Sequence, residues 1–119
     1  MRVLVCGGRD YGCGNQDQLD HIHNTLTELN AARGPFSCII HGAATGADEE
    51  GMGWAQMMGI LHAPFQADWH THGRAAGPMR NQRMIDEGRV DLVIAYPGGR
   101  GTDDMIRRAE KAGIEVIRP

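Results

Sequence analysis

The sequence has little lysine, no metal-type cysteine pattern and no long apolar run. Lys111 is the single lysine beside eleven arginines. That imbalance fits anion recognition, because the guanidinium fork matches carboxylate and phosphate; it equally fits a compositional bias of the source. The three cysteines, Cys6, Cys13 and Cys38, contain no CxxC pair. Cys6 and Cys38 fall inside apolar runs and read as small buried residues in a reducing compartment. No apolar stretch approaches the ~18 residues that a membrane helix needs. The opening MRVLVCGGRD passes directly from strand to loop, without the length or cleavage pattern of a signal peptide. A cytoplasmic protein with no membrane partner is the expectation. A basic excess is also missing. The formal net charge is −3, so a broad footprint for nucleic acid is not expected. There is no linker, repeat or low-complexity segment, and 119 residues leave no room for two full domains. Residues 1–119 read as one domain.

Hydrophobic residues make up 41% and charged residues 23%, which suits a buried core under a soluble surface. Five short runs read as strands: Arg2–Cys6, Ser37–His41, Leu61–Phe65, Asp91–Ala95 and Gly113–Ile117. Most are continuously apolar rather than alternating, as in parallel strands covered on both faces. Pro64 places the third at a strand start or a sheet edge. Four helical runs lie between them. Leu19, Ile22, Leu26 and Leu29 share one face of the first, and Asp17 is a candidate cap. Asp48–Met58 is the second, with Met52, Ala55 and Met58 or Gly59 at helical spacing. Ala76–Ile85 is the third. Asp103–Ala112 turns Met105, Ile106 and Ala109 inward. Alternating strands and helices predict a doubly wound α/β architecture: a mostly parallel sheet of about five strands with helices on both faces.

Glycine is the excess. There are 17, about twice the usual ~7% share. Gly34, Gly59, Gly88 and Gly113 stand where a helix gives way to a strand, which predicts left-handed helix stops. Gly51 and Gly53 lie within the second helix and suggest close packing on the sheet. The other eleven form four clusters that each follow a strand and precede a helix. A parallel sheet gathers such loops on the edge where ligands bind.

The last cluster, Pro97-Gly98-Gly99-Arg100-Gly101-Thr102, opens the final helix. Outward-facing amides and the helix N-terminus make a phosphate-sized anion site there, with Thr102 as a hydroxyl donor or cap. In the first cluster, Gly7-Gly8-Arg9-Asp10-Tyr11, Arg9 could reach a phosphate and Tyr11 could stack on a base. The spacing is not the G-x-G-x-x-G of dinucleotide sites. In the second, Gly42-Ala43-Ala44-Thr45-Gly46-Ala47-Asp48, small residues leave room for a ligand. Asp48 is a helix cap or a ribose partner, with spacing favouring the cap. His41, just before it, reads as a hydrogen-bonded structural histidine. The third runs from Ala67 to Asn81 as a long loop with Trp69, Arg74, Arg80 and Asn81 as binding candidates. Asp68, His70 and His72 lack the further ligands of a metal site, and no metal or cofactor is expected.

Taken together, GGRDY, HGAATGAD, ADWHTHGRAAGPMRNQRM and YPGGRGTDDM resemble the YspA-like branch of the SLOG superfamily. That Rossmann-like group also includes the DNA-processing protein DprA and the LOG cytokinin-activating enzymes. The resemblance covers nearly the whole chain. It implies a compact Rossmann-like domain, often oligomeric, that binds a nucleotide or nucleotide-derived ligand at the glycine-rich edge. In LOG-type phosphoribohydrolases, an Arg-bearing helix motif is matched here by Arg80 and Met84. The PGGxGTxxE motif is matched through Thr102, but Met105 stands where those enzymes carry a catalytic glutamate.

Three functions follow from the resemblance. A binding or sequestering module ranks first. N-glycosidic cleavage of nucleoside 5′-monophosphates ranks second, with Arg80 orienting phosphate and an aspartate such as Asp48 or Asp10 replacing the glutamate. DNA binding through Arg74, Arg80, Arg83 and Arg100 ranks third. Trp54, Met57 and Met58 could serve a homo-oligomer interface, although packing on the sheet is the simpler use of that stripe.

Overall fold

The computed structural model describes residues 1–119. Five strands, β1 (Arg2–Cys6), β2 (Cys38–His41), β3 (Leu61–Pro64), β4 (Leu92–Ala95) and β5 (Glu115–Ile117), form one sheet in the order β3-β2-β1-β4-β5. All four pairings are parallel. Pro64 lies on the edge strand β3, as its missing amide hydrogen requires. Four long helices connect them: α1 (Gln16–Arg33), α2 (Ala47–Met58), α4 (Ala76–Glu87) and α5 (Arg100–Lys111). The expected long loop before α4 instead holds a short helix, α3 (Trp69–His72), and a 3-10 turn over Gly73–Ala75. The Asp68 side chain caps α3 by accepting the Thr71 amide at 3.1 Å, so it serves the backbone there.

Alternation along each strand sorts the core into two layers. Val3, Val5, Ile39 and Ile94 pack with Ile22 and Leu26 of α1 and with Trp54 and Ala55 of α2. Leu4, Ile40 and Val93 pack on the other face with Met84 of α4 and with Met105, Ile106 and Ala109 of α5. The buried face of α2 is Ala47, Asp48, Gly51, Trp54 and Ala55; of the expected Met52, Ala55 and Met58 or Gly59, only Ala55 lies on it. The Trp54 ring is fully buried, with its indole N–H on Thr27 Oγ1 at 3.1 Å, while Met57 is 68% exposed. Tyr96 closes the first layer. Its hydroxyl shares a 2.7 Å hydrogen bond with Thr25 Oγ1 and donates to the Ile22 carbonyl at 3.3 Å. Tyr96→Phe leaves the Thr25 hydroxyl a carbonyl partner. It is expected to lower stability by about 1 kcal/mol in urea unfolding, the usual net worth of such a bond.

Several caps differ from expectation. Asn15, two residues before Asp17, caps α1 through the Gln18 amide. Gly59 and Gly113 are left-handed, with φ of 71° and 76°. Gly34 and Gly88 are not: their φ values are −80° and −76°. What excludes a side chain there is crowding, since a Cβ would run into the carbonyls of Asn30 and Met84 respectively. Gly51 lets α2 close on Val5, whose Cγ1 would lie 3.0 Å from a Cβ. Gly53 faces open space, and no contact explains it.

Candidate functional site

The strand order reverses direction between β1 and β4. The loops after these two strands leave the sheet at its carboxyl edge on either side of that point. A cleft of about 510 Å³ opens there. The β1 loop contributes Gly7, Gly8 and Arg9, and the α5 entry contributes Gly99, Arg100, Gly101 and Thr102. Asp48, Trp69, Arg74, Arg80 and Asn81 complete the predicted residues on its wall. A smaller cavity of about 300 Å³ adjoins it, lined by Gly42, Ala43 and Thr45 from the β2 loop, together with Arg9, Trp69 and Arg80.

Gly8 is the hub of the edge. Its amide donates to the Pro97 carbonyl at 2.8 Å, and its carbonyl accepts the amides of Tyr11 at 3.1 Å and Ala47 at 3.2 Å. Three strand-to-helix connections are thereby tied at one residue. Gly98 must be glycine because a Cβ would strike the Thr102 hydroxyl and lie 2.7 Å from the Gly8 amide nitrogen. Gly46 presses against the carbonyls of Gly8 and Arg9. Pro97, Gly98 and Gly46 therefore shape the cleft from behind rather than line it. Thr102 is buried at the third position of α5, and Gly99 rather than Thr102 is the N-cap. Gly77 and Gly101 sit within the first turns of α4 and α5, not in loops.

Two other predicted contacts are turned away. The Tyr11 ring stacks on Tyr96 at 5.9 Å between centroids, packing it against the first core layer. Asp10 is exposed beside it and touches neither cavity. Gly12 packs against Leu19, Ile22 and Glu50, away from the cleft. Arg83 also leaves the expected basic patch. It pairs with Glu87 at 3.3 Å and lies over the Phe65 ring.

Asp48 is not a helix cap. Gly46 holds that position, and Asp48 lies inside α2, 7% exposed. Its Oδ2 accepts the Gly42 amide at 2.9 Å. Burial pushes its carboxyl up to about 6, opposed by the Gly42 amide and by the nearby Arg80 and Arg9 charges. Arg80 is held from two sides. Its Nη1 donates to the Gly42 carbonyl at 2.6 Å, and its Nε donates to Asn81 Oδ1 at 3.1 Å. The Asn81 amide then donates to the Gly101 carbonyl at 3.2 Å and to Asp104 at 2.9 Å. This places Arg80 in register with the α5 entry. The Arg9 guanidinium lies 5.1 Å from the Trp69 ring centroid, a cation–π contact.

Composition and spacing did not single out Cys6, Ala44, Gly77, Pro78, Asp104 and the floor role of Met84 and Met105. Position was the one available signal, for Cys6 at the end of β1, Gly77 and Pro78 in the first turn of α4 and Asp104 and Met105 in the second turn of α5; Ala44 lies in the loop after β2 and Met84 in the third turn of α4. Cys6 is a neutral wall: burial, then the Asp48 charge, pushes its thiol up to about 12. Burial disfavours the Asp104 carboxylate, but hydrogen bonds from Arg108 and Asn81 outweigh this and hold its pKa below the usual value. His41 is the structural residue expected. Its Nδ1 accepts the Ala43 amide at 3.1 Å and its Nε2 bonds His62 Nδ1 at 3.1 Å. Burial and then His62 lower it to about 4. No three His, Cys, Asp or Glu side chains converge as a metal would require, and no helix is long and apolar enough to cross a membrane.

A parallel sheet in 3-2-1-4-5 order, with glycine-rich loops and an open cleft at its switch point, defines a Rossmann-like α/β module. Residues 1–72 match the family described as YspA, cpYpsA-related SLOG, and the chain belongs to that family. It is 38% identical to the Gene 61 protein of Mycobacterium phage D29 over 124 residues, covering 98% of this chain and 94% of the phage protein. Among solved structures it is similar to the X-ray structure of TM1055, a structural-genomics target. That match has a TM-score of 0.71 at 17% identity and covers 98% of this chain and 72% of the other. It shows the shared fold.

Proposed function

We propose that the chain binds a phosphorylated, nucleotide-derived ligand in the 510 Å³ cleft, as a sensor or sequestering module. The pairing state of the arginines carries this reading. Arg33, Arg83, Arg107, Arg108 and Arg118 each face a carboxylate. Arg9, Arg74, Arg80 and Arg100, the four that line the cleft, have no carboxylate within 4.0 Å; outside it only Arg2, whose Nε donates to the Gly88 carbonyl, and Arg89 also lack one. The two acids on the wall are otherwise engaged, Asp48 by the Gly42 amide and Asp104 by Arg108 and Asn81. The positive charge faces the cleft beside the N-terminus of the 12-residue helix α5, where phosphate is favoured. The apolar floor of Met84 and Met105 suits a base or sugar face.

Isothermal calorimetry against AMP, ADP, GMP and inorganic phosphate tests it. A nucleoside phosphate is expected to bind more tightly than phosphate alone. Arg80→Ala is expected to weaken that binding by about tenfold, the loss of one charge-assisted contact. Absence of binding by every nucleoside phosphate would reject the proposal.

The position of Asp48 favours a second reading, hydrolysis of the N-glycosidic bond. A carboxyl that titrates near pH 6 on the cleft wall beside Arg80 could act as general acid or base in place of the missing glutamate. Release of free base from AMP, abolished by Asp48→Asn, is its expected signature. Base release that Asp48→Asn leaves unchanged would remove Asp48 from the mechanism.

A further inference from the structure

His41 and His62 lie on the neighbouring strands β2 and β3, and neither lines the cleft. Their rings stack at 5.3 Å between centroids and share the 3.1 Å contact of His41 Nε2 with His62 Nδ1. The Ala43 amide fixes where the ring hydrogens are. A backbone N–H only donates, so His41 Nδ1 carries a lone pair and His41 Nε2 carries the hydrogen. That hydrogen points at His62 Nδ1, which accepts it. The neutral pair thus has two ring lone pairs, and both are already in use. A further proton on the pair displaces one of these two hydrogen bonds.

The Gly42–Ala43 peptide stands at one end of this chain. Its N–H donates to His41 Nδ1 at 3.1 Å, and its carbonyl accepts Arg80 Nη1 at 2.6 Å. The peptides on either side are tied to Asp48, through the Gly42 amide at 2.9 Å and, more weakly, the Ala44 amide. The peptide between them can turn over while those ties hold. Ala43 holds φ 57°, which a residue with a Cβ seldom adopts. A half-turn of the peptide carries that φ to about −120°, in the broad allowed region, and glycine at position 42 accepts the matching change in ψ. The turned peptide places the Gly42 carbonyl opposite His41 Nδ1 and the Ala43 N–H on the Arg80 side. A hydrogen on His41 Nδ1 would then have an acceptor. Every group of the histidine chain is satisfied in both arrangements, and the turned one is free of the positive φ.

We propose that the Gly42–Ala43 peptide is an acid-driven switch: a proton taken up by the His41–His62 pair turns it over, and its carbonyl leaves Arg80 for His41 Nδ1. The incoming proton takes His41 Nδ1, and the hydrogen of His41 Nε2 passes to His62 Nδ1. The charge then resides on His62, which is only partly buried, and His41, 2% exposed, stays neutral. Burial, and then His62, make His41 itself hard to charge, lowering it to about 4. The charged groups around this corner are Glu49 of α2, which shares a third cavity with His41 and Ala43, Asp48 and Arg80 on Gly42, and Arg9, which lines the smaller cavity with Ala43. Turning the peptide exchanges an acceptor for a donor beside Arg80, which favours an anion there. That consequence rests on the reading of the cleft as an anion site; the switch does not.

NMR of the 15N-labelled protein without ligand, from pH 7.5 to 4, tests it. Imidazole 1H–15N spectra should show His41 passing from the Nε2–H to the Nδ1–H form as His62 becomes doubly protonated. The Ala43 amide and Arg80 guanidinium signals should move with the same midpoint. His41→Asn keeps an acceptor at the place of Nδ1 with nothing to titrate, and is expected to abolish the Ala43 and Arg80 shifts. Asp48, which titrates near pH 6, is unchanged in that variant, so shifts that persist there belong to Asp48 and overturn the switch. Ala43→Gly removes the penalty on the positive φ and is expected to lower the midpoint by about one pH unit. It decides the matter if His41→Asn does not fold, and a midpoint equal to the parent's would overturn the switch. So would His62 gaining its proton while Ala43 and Arg80 stay still, or signals that hold until the whole protein unfolds. Because no ligand is present, each of these failures leaves the proposed binding function standing.

Discussion

Gly46→Ala is expected to unfold the protein about 10 °C or more below the parent in thermal denaturation, a loss of about 3 kcal/mol. Two causes add. Gly46 holds φ 75° and ψ −129°, a conformation that residues with a Cβ avoid. A Cβ there would also strike the Gly8 carbonyl and lie 2.5 Å from the Arg9 carbonyl carbon and oxygen. Those atoms are backbone, so no rotamer change relieves the contact. Gly8 also receives the Ala47 amide and bonds Pro97, so moving it loosens the β1, β2 and α5 connections together. Ligand binding should fall with stability. Gly53→Ala is the control: its Cβ would meet nothing within 4 Å, in mid-helix, and it should stabilise slightly. A Gly46→Ala protein as stable as the parent would show that the edge is not held as described.

Asp48→Asn is expected to change the pH dependence of stability by about 3 kcal/mol, the equivalent of its shift from 3.8 to about 6. The sign follows from the direction of the shift. The folded protein holds the Asp48 proton more tightly than the unfolded chain does. The resulting stabilisation is complete below pH 3.8 and is lost as pH rises through about 6. At pH 7 the ionised carboxylate sits buried at a net cost, only partly offset by Arg80, Arg9 and the Gly42 amide. Urea unfolding from pH 4 to pH 7 should show the parent losing stability relative to Asp48→Asn. Asparagine keeps an acceptor for the Gly42 amide and has nothing to titrate. Parallel curves for the two proteins would show that Asp48 is not burdened.

Much of the fold was readable because its signals are local. Continuous apolar runs such as Leu92–Ala95 allow little besides a parallel strand covered on both faces, and each strand lies within two residues of its expected bounds. The cleft was readable for a related reason. Once strands alternate with helices, parallel pairing brings every strand-to-helix loop to one edge, so the Gly7–Arg9 and Gly99–Thr102 residues had to meet. The family resemblance, seen in the four motifs, agrees with the match over residues 1–72.

What the sequence could not determine was direction and partnership. Tyr11 and Asp10 stand one turn from Gly8, yet the Tyr11 ring goes to Tyr96, because burying it against that ring removes more apolar surface than pointing it into an open cleft. Asp48 looked like a cap because caps are recognised by spacing. A glycine two residues earlier took that position, leaving the carboxyl buried, with a raised pKa, next to an arginine 32 positions away. The third cluster folded into a helix and a turn around the Asp68 cap, which moved Trp69 beneath Arg9. The order of strands, glycine clusters and helices along the chain determined that the glycine-rich segments would gather at one end of a parallel sheet. Only the tertiary structure decided which arginines remain without a carboxylate and where the cleft divides in two, because both depend on side chains brought together from five separate segments.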